Sequence, residues 1–334
     1  MGNKIVKIIS ISLLILGLFS CAKVEHSIDF YYWKNKYQVD DTLRGKIKEL
    51  GCKRIHLHFF DVVEKNGKIF PTAILTPIKE NPLSGDSVKI VPVVFITNEV
   101  FASSHNEEEL AKSIAGQIRS MAAHNGMLDK CEDEIQIDCD WTSSTKEKYF
   151  SFLRTLERIS GTKISCTIRL HQVKDSDKMG VPPVKKGYLM CYATSDPVDG
   201  QDSNSILDID LLKSYTKNLN SYPLPLDYAL PLFSWGIVTN HMGQVRLING
   251  ISRDDLESGL FTHLEGNKYK ALEACFLNGF YVSKGFTIEL EEISPSLLRE
   301  AKQYLDKKIG HSYTIVYYHL SNGYLNRYTS EDLR

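Results

Sequence analysis

One stretch of this chain concentrates groups that can hold and move protons. In Glu134-Ile135-Gln136-Ile137-Asp138-Cys139-Asp140-Trp141, acidic or amide side chains alternate with apolar ones. Alternation with period two marks a β-strand, whose successive side chains point to opposite faces. One face then carries Glu134, Gln136, Asp138 and Asp140. The other carries Ile135, Ile137, Cys139 and Trp141. A helical pattern follows at once, so the strand belongs to an α/β fold and is covered on both sides. Its polar row must face an enclosed space, and carboxylates are costly to bury unpaired. They persist either inside a structural network of Arg and His partners or where a perturbed proton affinity is put to use. In the second case Asp140 is the expected general acid, held neutral by Asp138 and by enclosure, with Asp138 orienting it or stabilising positive charge. Cleaving a bond between carboxyls needs a partner facing this pair, and Glu99 is available for that.

Other chemistries find less support. His56-Leu57-His58 places two imidazoles on one strand face, and His171 with Asp138 could complete a metal site. The expected last strand, TIVYYHL, supplies no further Asp, so satisfied histidines are the simpler account and no metal or cofactor is expected. No GxSxG occurs, and no Cys sits beside a local His or basic cluster. Neither GxGxxG nor GxxxxGK[ST] is present, so a phosphate loop is absent from the pattern.

The elements that must hold these groups alternate along the chain. Strands are expected at 29–33, 54–61, 90–97, 134–141, 163–171, 187–194, 228–235 and 314–320. Helices are expected at 41–50 before Gly51, 107–124, 144–160 with a Ser144/Glu147 capping box, 207–219, and 295–308 capped by Ser294 and opened by Pro295. Asn66-Gly67 signals a hairpin, and two more hairpin signals follow the seventh strand near His241 and Ser283. Eight strands with such connections predict a (β/α)8 TIM-type barrel with hairpin insertions after strands two and seven. A doubly wound sheet is the alternative. In a barrel the ligand binds where strands end. Those ends hold Trp33, His58 with Asp61, Glu99, Trp141, Arg169, His171, Tyr192, Trp235 and His319. All three tryptophans fall there, which suits stacking on the apolar faces of sugar rings, although ordinary core packing also uses such residues. The expected substrate-binding set is Trp33, His58, Gln136, Trp141, Arg169, His171, Tyr192 and Trp235. Arg169 is expected within ion-pair reach of Asp138 or Asp140. A carboxylate paired that way is the poorer acid, and the other is the better one.

The N-terminus speaks to compartment. Lys4 and Lys7 precede an apolar run over residues 8–19, too short to span a bilayer, and Leu18-Phe19-Ser20-Cys21 follows. This resembles a bacterial lipobox, which implies removal of residues 1–21 short of Cys21 and acylation of Cys21 itself. Two or more acyl chains anchor stably, each buried CH₂ contributing about 0.8 kcal/mol. Ala22 after the Cys fits the outer membrane of a Gram-negative cell. Residues 22–28 then form a tether, and 29–334 one barrel domain. The formal net charge of −1 with no basic stripe argues against nucleic acid. The six cysteines after Cys21 show no CxxC or zinc spacing and read as free thiols.

At the fourth strand the chain resembles the family-18 chitinase-like barrels, whose signature there is DGxDxDxE. Residues 135–142 overlay it with Asp138, Asp140 and Trp141 in place. Phe30-Tyr31-Tyr32-Trp33 resembles that family's first strand, Met190-Cys191-Tyr192 its M-x-Y-D, and Leu230-Pro231-Leu232-Phe233 with Gly236 its P-x-Y-G. The chain also resembles a lipoprotein family of Bacteroides-type bacteria through IRLHQ, PPV and LPLFSWG at 168–172, 182–184 and 230–236. The chitinase-like resemblance implies carbohydrate as the partner, yet the family's catalytic Glu is Thr142 here and its M-x-Y-D aspartate is Ala193. Losing a general acid typically costs 10²–10⁴-fold in rate. Two functions remain: a glycoside-hydrolase-like enzyme with relocated groups, or a glycan-binding lipoprotein without turnover. A metal-dependent hydrolase is the third and weakest.

Overall fold

The computed structural model describes residues 26–198 and 204–334. The expected signal segment with Cys21, and residues 22–25 of the tether, lie outside the described residues. Strand β1 (Ser27–Tyr32) is followed by helix α1 (Asp41–Glu49), then β2 (Arg54–Lys65), β3 (Lys68–Thr72) and β4 (Lys89–Ile96). Helix α2 (Glu107–His124) leads to β5 (Glu134–Asp138), α3 (Lys146–Ser160) and β6 (Lys163–Arg169). Helix α4 (Leu170–Lys174) starts at the next residue, followed by β7 (Lys186–Met190), α5 (Ile209–Tyr215) and β8 (Leu226–Pro231). Strands β1, β2, β4, β5, β6, β7 and β8 are parallel and are joined by a last one, Thr314–Tyr318, which pairs with both β8 and β1. Because β1 also pairs with β2, the sheet closes into an eight-stranded barrel with helices outside. Closure rules out the doubly wound alternative.

Local sequence explains the punctuation. The β2–β3 hairpin turns on Asn66 and Gly67, both with positive φ (55° and 75°), as a tight two-residue turn requires. Helix α3 presents Tyr149, Phe152, Leu153 and Leu156 to the barrel wall, a spacing of three and four residues, and stops at Gly161 in the left-handed conformation. The Ser144/Glu147 capping box does not form: the helix is capped at Thr145, whose hydroxyl donates to Asn98 Oδ1 instead.

The connection after β8 departs from the expected strand over 228–235. Pro231 offers no amide hydrogen, and the chain leaves the barrel just beyond it. Ser234 opens a second sheet, built from β9 (Ser234–Thr239), β10 (Val245–Asn249), β11 (Phe261–His263), β12 (Lys268–Ala271) and, after the hairpin β13 (Cys275–Leu277) and β14 (Phe280–Val282), β15 (Thr287–Glu292). Its order is β10-β9-β15-β12-β11, all antiparallel. Val238, Ile248, Ile251, Tyr269, Ile288 and Leu290 give it a core separate from the barrel's. The hairpin signal near His241 thus belongs to a five-stranded sheet, while the one near Ser283 is the link from the separate β13–β14 hairpin to β15. Helix α6 (Pro295–Ile309), with Ser294 accepting from Leu297 N, returns the chain to the final barrel strand, β16 (Thr314–Tyr318).

The barrel interior is polar at one end and aromatic in the middle. At the N-terminal ends of the strands, Arg54 Nε lies 2.7 Å from Asp29 Oδ2, with Glu134 at 3.7 Å and Asp227 at 3.9 Å from its other nitrogens. Lys186 pairs with Asp227, whose other oxygen accepts from Thr314 N at 2.7 Å. Ser165 and Tyr188 hydroxyls donate to Glu134. Above this plug the His56 ring packs between Tyr31 (5.1 Å) and Tyr188 (4.9 Å). Of the acidic row, Glu134 therefore fits the network reading, sharing Arg54 with Asp29 and Asp227 at the end of the barrel away from the strand C-termini.

Candidate functional site

The C-terminal ends of the strands surround a cavity of about 570 Å³. Asp138, last residue of β5, lies at its floor and is 7 % exposed. Its Oδ1 accepts a 2.6 Å bond from the Thr167 hydroxyl on the adjacent β6. Burial lifts the Asp138 carboxyl from 3.8 to about 6, and neighbouring Asp140 adds to that; the Thr167 hydroxyl, Arg169 and His58 pull the other way. Asp138 is thus a carboxyl that keeps its proton to about pH 6 inside an enclosed space.

Arg169 engages Asp140, not Asp138. Its Nε and Nη2 lie 2.5 and 2.8 Å from the two Asp140 oxygens, a two-point contact between planar groups. Asp140 is turned out toward solvent and does not line the cavity, whereas Arg169 does. On the criterion that the unpaired carboxyl is the better acid, the geometry moves that role from Asp140 to Asp138. The junction is held by Gln172, which accepts from Arg169 N and donates to Trp141 O, tying the ends of β5 and β6 together.

Asp61 enters the same cavity through an irregularity in β2. The β2–β4 register pairs His58 with Val93 but Phe60 with Val94, so one residue, Phe59, is extra. Such a bulge reverses the in–out alternation beyond it. Without it, Arg54, His56 and His58 would be continued inward by Phe60. With it, Phe60 pairs beside the outward Val94 and Asp61 turns inward. Asp61 Oδ1 lies 2.6 Å from His58 Nε2, and His58 stacks on Trp33 at 4.6 Å. Asp61 is in register with Phe95, and Phe95 with Asp138, so the two carboxyls stand on one level of the wall with a single strand between them.

Aromatic rings form the opposite wall. Tyr318 contacts Trp33 (5.7 Å), Tyr192 (5.7 Å) and Phe233 (5.8 Å), and Phe233 contacts Trp235 (5.3 Å). The second sheet fixes the far end: Trp235 Nε1 donates to Glu291 Oε2 at 2.7 Å, and Asn249 from β10 completes the rim. A buried Asp and an Arg facing a row of rings can grip a flat, hydroxyl-bearing ligand on its faces and edges at once.

Of the residues expected from sequence, Trp33, Asp138, Arg169, Tyr192 and Trp235 line this cavity, and His58 supports it from behind Trp33. Three are corrected. Gln136 points inward but is wholly buried below the cavity, out of ligand reach. Trp141 is also wholly buried, stacked on Tyr149 with its indole N–H on Met179 O; it continues the face of Ile135, Ile137 and Cys139 toward the helices. His171 is not on a strand, because β6 ends at Arg169; it sits exposed in the first turn of α4. Glu99 is likewise exposed and outside the cavity. Thr142, at the chitinase-like Glu position, is exposed and bonded to Ser144 and Thr145. Among the described residues no three His, Cys, Asp or Glu groups converge to hold a metal ion. Residues whose roles the sequence did not signal are Phe95, Phe233, Asn249, Tyr318 and Tyr324; Asp61 and His319 were visible only as strand-end polar groups.

Comparison with solved structures finds barrels of the same fold. The Bacillus cereus spore cortex-lytic enzyme SleL superposes with a TM-score of 0.56 at 13% identity, covering 92% of this chain and 72% of that one. A chitinase from Chromobacterium violaceum gives 0.53 at 12% identity, covering 90% and 96%. A chitinase catalytic domain from Ostrinia furnacalis, in complex with an N-acetylated chito-oligosaccharide, gives 0.50 at 12% identity, covering 88% and 89%. At such identities the likeness establishes the fold. No protein-family model and no curated protein sequence matches the chain.

Proposed function

We propose that the cavity receives a stretch of carbohydrate chain and that Asp138, not Asp140, is its proton-donating group. The observation that carries this is the pairing, in one cavity, of a carboxyl that stays protonated near pH 6 with the ring wall of Trp33, Tyr318, Phe233 and Trp235. The chitinase-like shape of the barrel supports it. Rings offer sugar faces a dry surface, while Arg169, Asp138 and Asn249 offer hydroxyls their partners. The test is a glycan array followed by calorimetry on soluble protein spanning residues 22–334. Trp33→Ala and Trp235→Ala should each weaken binding about tenfold, near 1.4 kcal/mol. Unchanged affinity in both variants would remove the ring wall from recognition.

A second reading, binding without turnover, is favoured by one feature: Thr142 stands exposed where the family-18-like motif carries its acid. Sensitive product detection on any bound glycan separates the two readings.

The lipobox-like run supports a tether at the cell envelope, in keeping with the resemblance to Bacteroides-type lipoproteins. Among the described residues no helix is long and apolar enough to cross a membrane; the anchor proposed is an acyl group on Cys21. Cys21→Ser should release the protein from the membrane fraction or block signal removal. A variant that stays in the membrane with unchanged gel mobility, alongside wild type free of acyl label, would end the lipoprotein assignment.

A further inference from the structure

We propose that Asp61 and Asp138 work as a pair that hydrolyses a glycosidic bond with inversion at the anomeric carbon. This deepens the carbohydrate reading and rests on it. The first support is register. Asp61, Phe95 and Asp138 are consecutive partners across β2, β4 and β5, so two strand spacings separate the carboxyl-bearing residues, on the order of 10 Å between Cα atoms. Both side chains point to the concave side of a closed wall, which brings their tips closer than their backbones. Inverting hydrolysis needs carboxyls roughly 6.5–9.5 Å apart, to fit a water between base and sugar; retaining hydrolysis needs about 5–5.5 Å. An intervening strand suits the longer distance. The second support is the bulge at Phe59. A disruption of the ladder that turns one carboxylate into a cavity is a feature common beside active sites.

The two carboxyls differ in surroundings, as acid and base must. Asp138 is enclosed, receives the Thr167 hydroxyl, and keeps its proton to about pH 6. Asp61 is more open to solvent, and His58 Nε2–H donates to its Oδ1, leaving Oδ2 for a water. Thr142 supplies no acid, and the acetamido-assisted route of the resembling family has lost the group that starts it.

The step balances within these groups and one water. Asp138 gives its proton to the glycosidic oxygen as the C1–O bond breaks, and the bonding electron pair leaves with that oxygen. The water oxygen bonds C1 from the opposite face while its proton passes to the Asp61 carboxylate. One water is consumed and two sugar ends are released, the new reducing end with inverted configuration. Solvent carries the proton from Asp61 back to Asp138.

The experiment presents soluble 22–334 with chitohexaose, cellohexaose, xylohexaose, mannohexaose and isolated peptidoglycan glycan strands. Binding is measured first, then the anomer released from each bound glycan by proton NMR within the first minutes. The expected result is inverted product. Asp61→Asn should cut turnover at least 100-fold with affinity within threefold, and added azide should restore rate as an inverted glycosyl azide. Glu99→Gln should match wild type. Retained product, Asp61→Asn at wild-type rate, or a bound glycan with no turnover each overturns the pair while leaving the carbohydrate reading standing. Binding to none of these glycans overturns the carbohydrate reading and the pair with it.

Discussion

Asp138→Asn should make this protein more stable above pH 6 while it removes turnover. The Asp138 carboxyl binds its proton more tightly folded, at about 6, than at the ordinary 3.8. Well below 3.8 it is protonated in both states and costs nothing. Between 4 and 6 the unfolded chain ionises first, so stability falls as pH rises. Above 6 the loss is complete, about 2–3 kcal/mol from a shift of this size. Asparagine cannot ionise, and its Oδ1 can still accept from Thr167. Urea unfolding at pH 4 and pH 8 should therefore give near-equal midpoints at the lower pH and a higher midpoint for the variant at pH 8. Equal midpoints at both would mean the carboxyl is not held protonated by the fold. On the proposed hydrolysis, with Asp138 as its acid, turnover should fall as pH rises through about 6, since a general acid works only while it holds its proton.

Arg54→Met should give the largest loss of stability, about 3–5 kcal/mol. Arg54 is the cation shared by Asp29, Glu134 and Asp227 at the closed end of the barrel. Burial works against charge on Asp29 and Glu134, yet partners outweigh it: His56 and Arg54 for Asp29, Ser165, His56, Tyr188 and Lys186 for Glu134, so both stay below their usual ranges. Carboxyls lowered in this way stabilise the fold at neutral pH and lose that contribution as pH drops through their folded values. Removing the guanidinium leaves Asp29 charged, enclosed and short of a partner. Adding Asp29→Asn should recover part of the loss, because the two residues touch and their effects do not add. A single variant within 0.5 kcal/mol of wild type in denaturant would show that the plug contributes little.

The alternation in residues 134–138 made the inward face of β5 legible before any coordinates, because period two survives in a regular strand. It also put Trp141 on the outward face; the expectation that Trp141 meets the ligand came instead from its place near the strand end, and parity won. The strand ends at Asp138, but the tryptophan keeps the parity of Ile135 and Ile137 and so belongs with the helices. His171 was misplaced because nothing in Arg169-Leu170-His171 marks the change from strand to helix; Gln172, bonding back to Arg169 N, makes that turn. The ion pair of Arg169 was expected from adjacent strands, while which aspartate it takes depends on where β5 stops. Tyr318, Phe233 and Asn249 come together from β16, the β8–β9 turn and the second sheet, a distance in sequence that no local pattern spans. The role of Asp61 was hidden because Phe59 and Phe60 are both apolar, so the lost beat leaves no trace in the alternation.

That lost beat has an evolutionary side. Whether this barrel presents a carboxylate at the end of its second strand is decided by the bulge before it as much as by residue type. Were Phe59 taken into a regular ladder, Phe60 would face the cavity and Asp61 would swing toward the helices without any acidic side chain being altered. Two related chains could each keep an Asp in the same alignment column and still differ in possessing the pair. The backbone at Phe59, and not only the acidic residue after it, therefore sets whether the proposed pair can form.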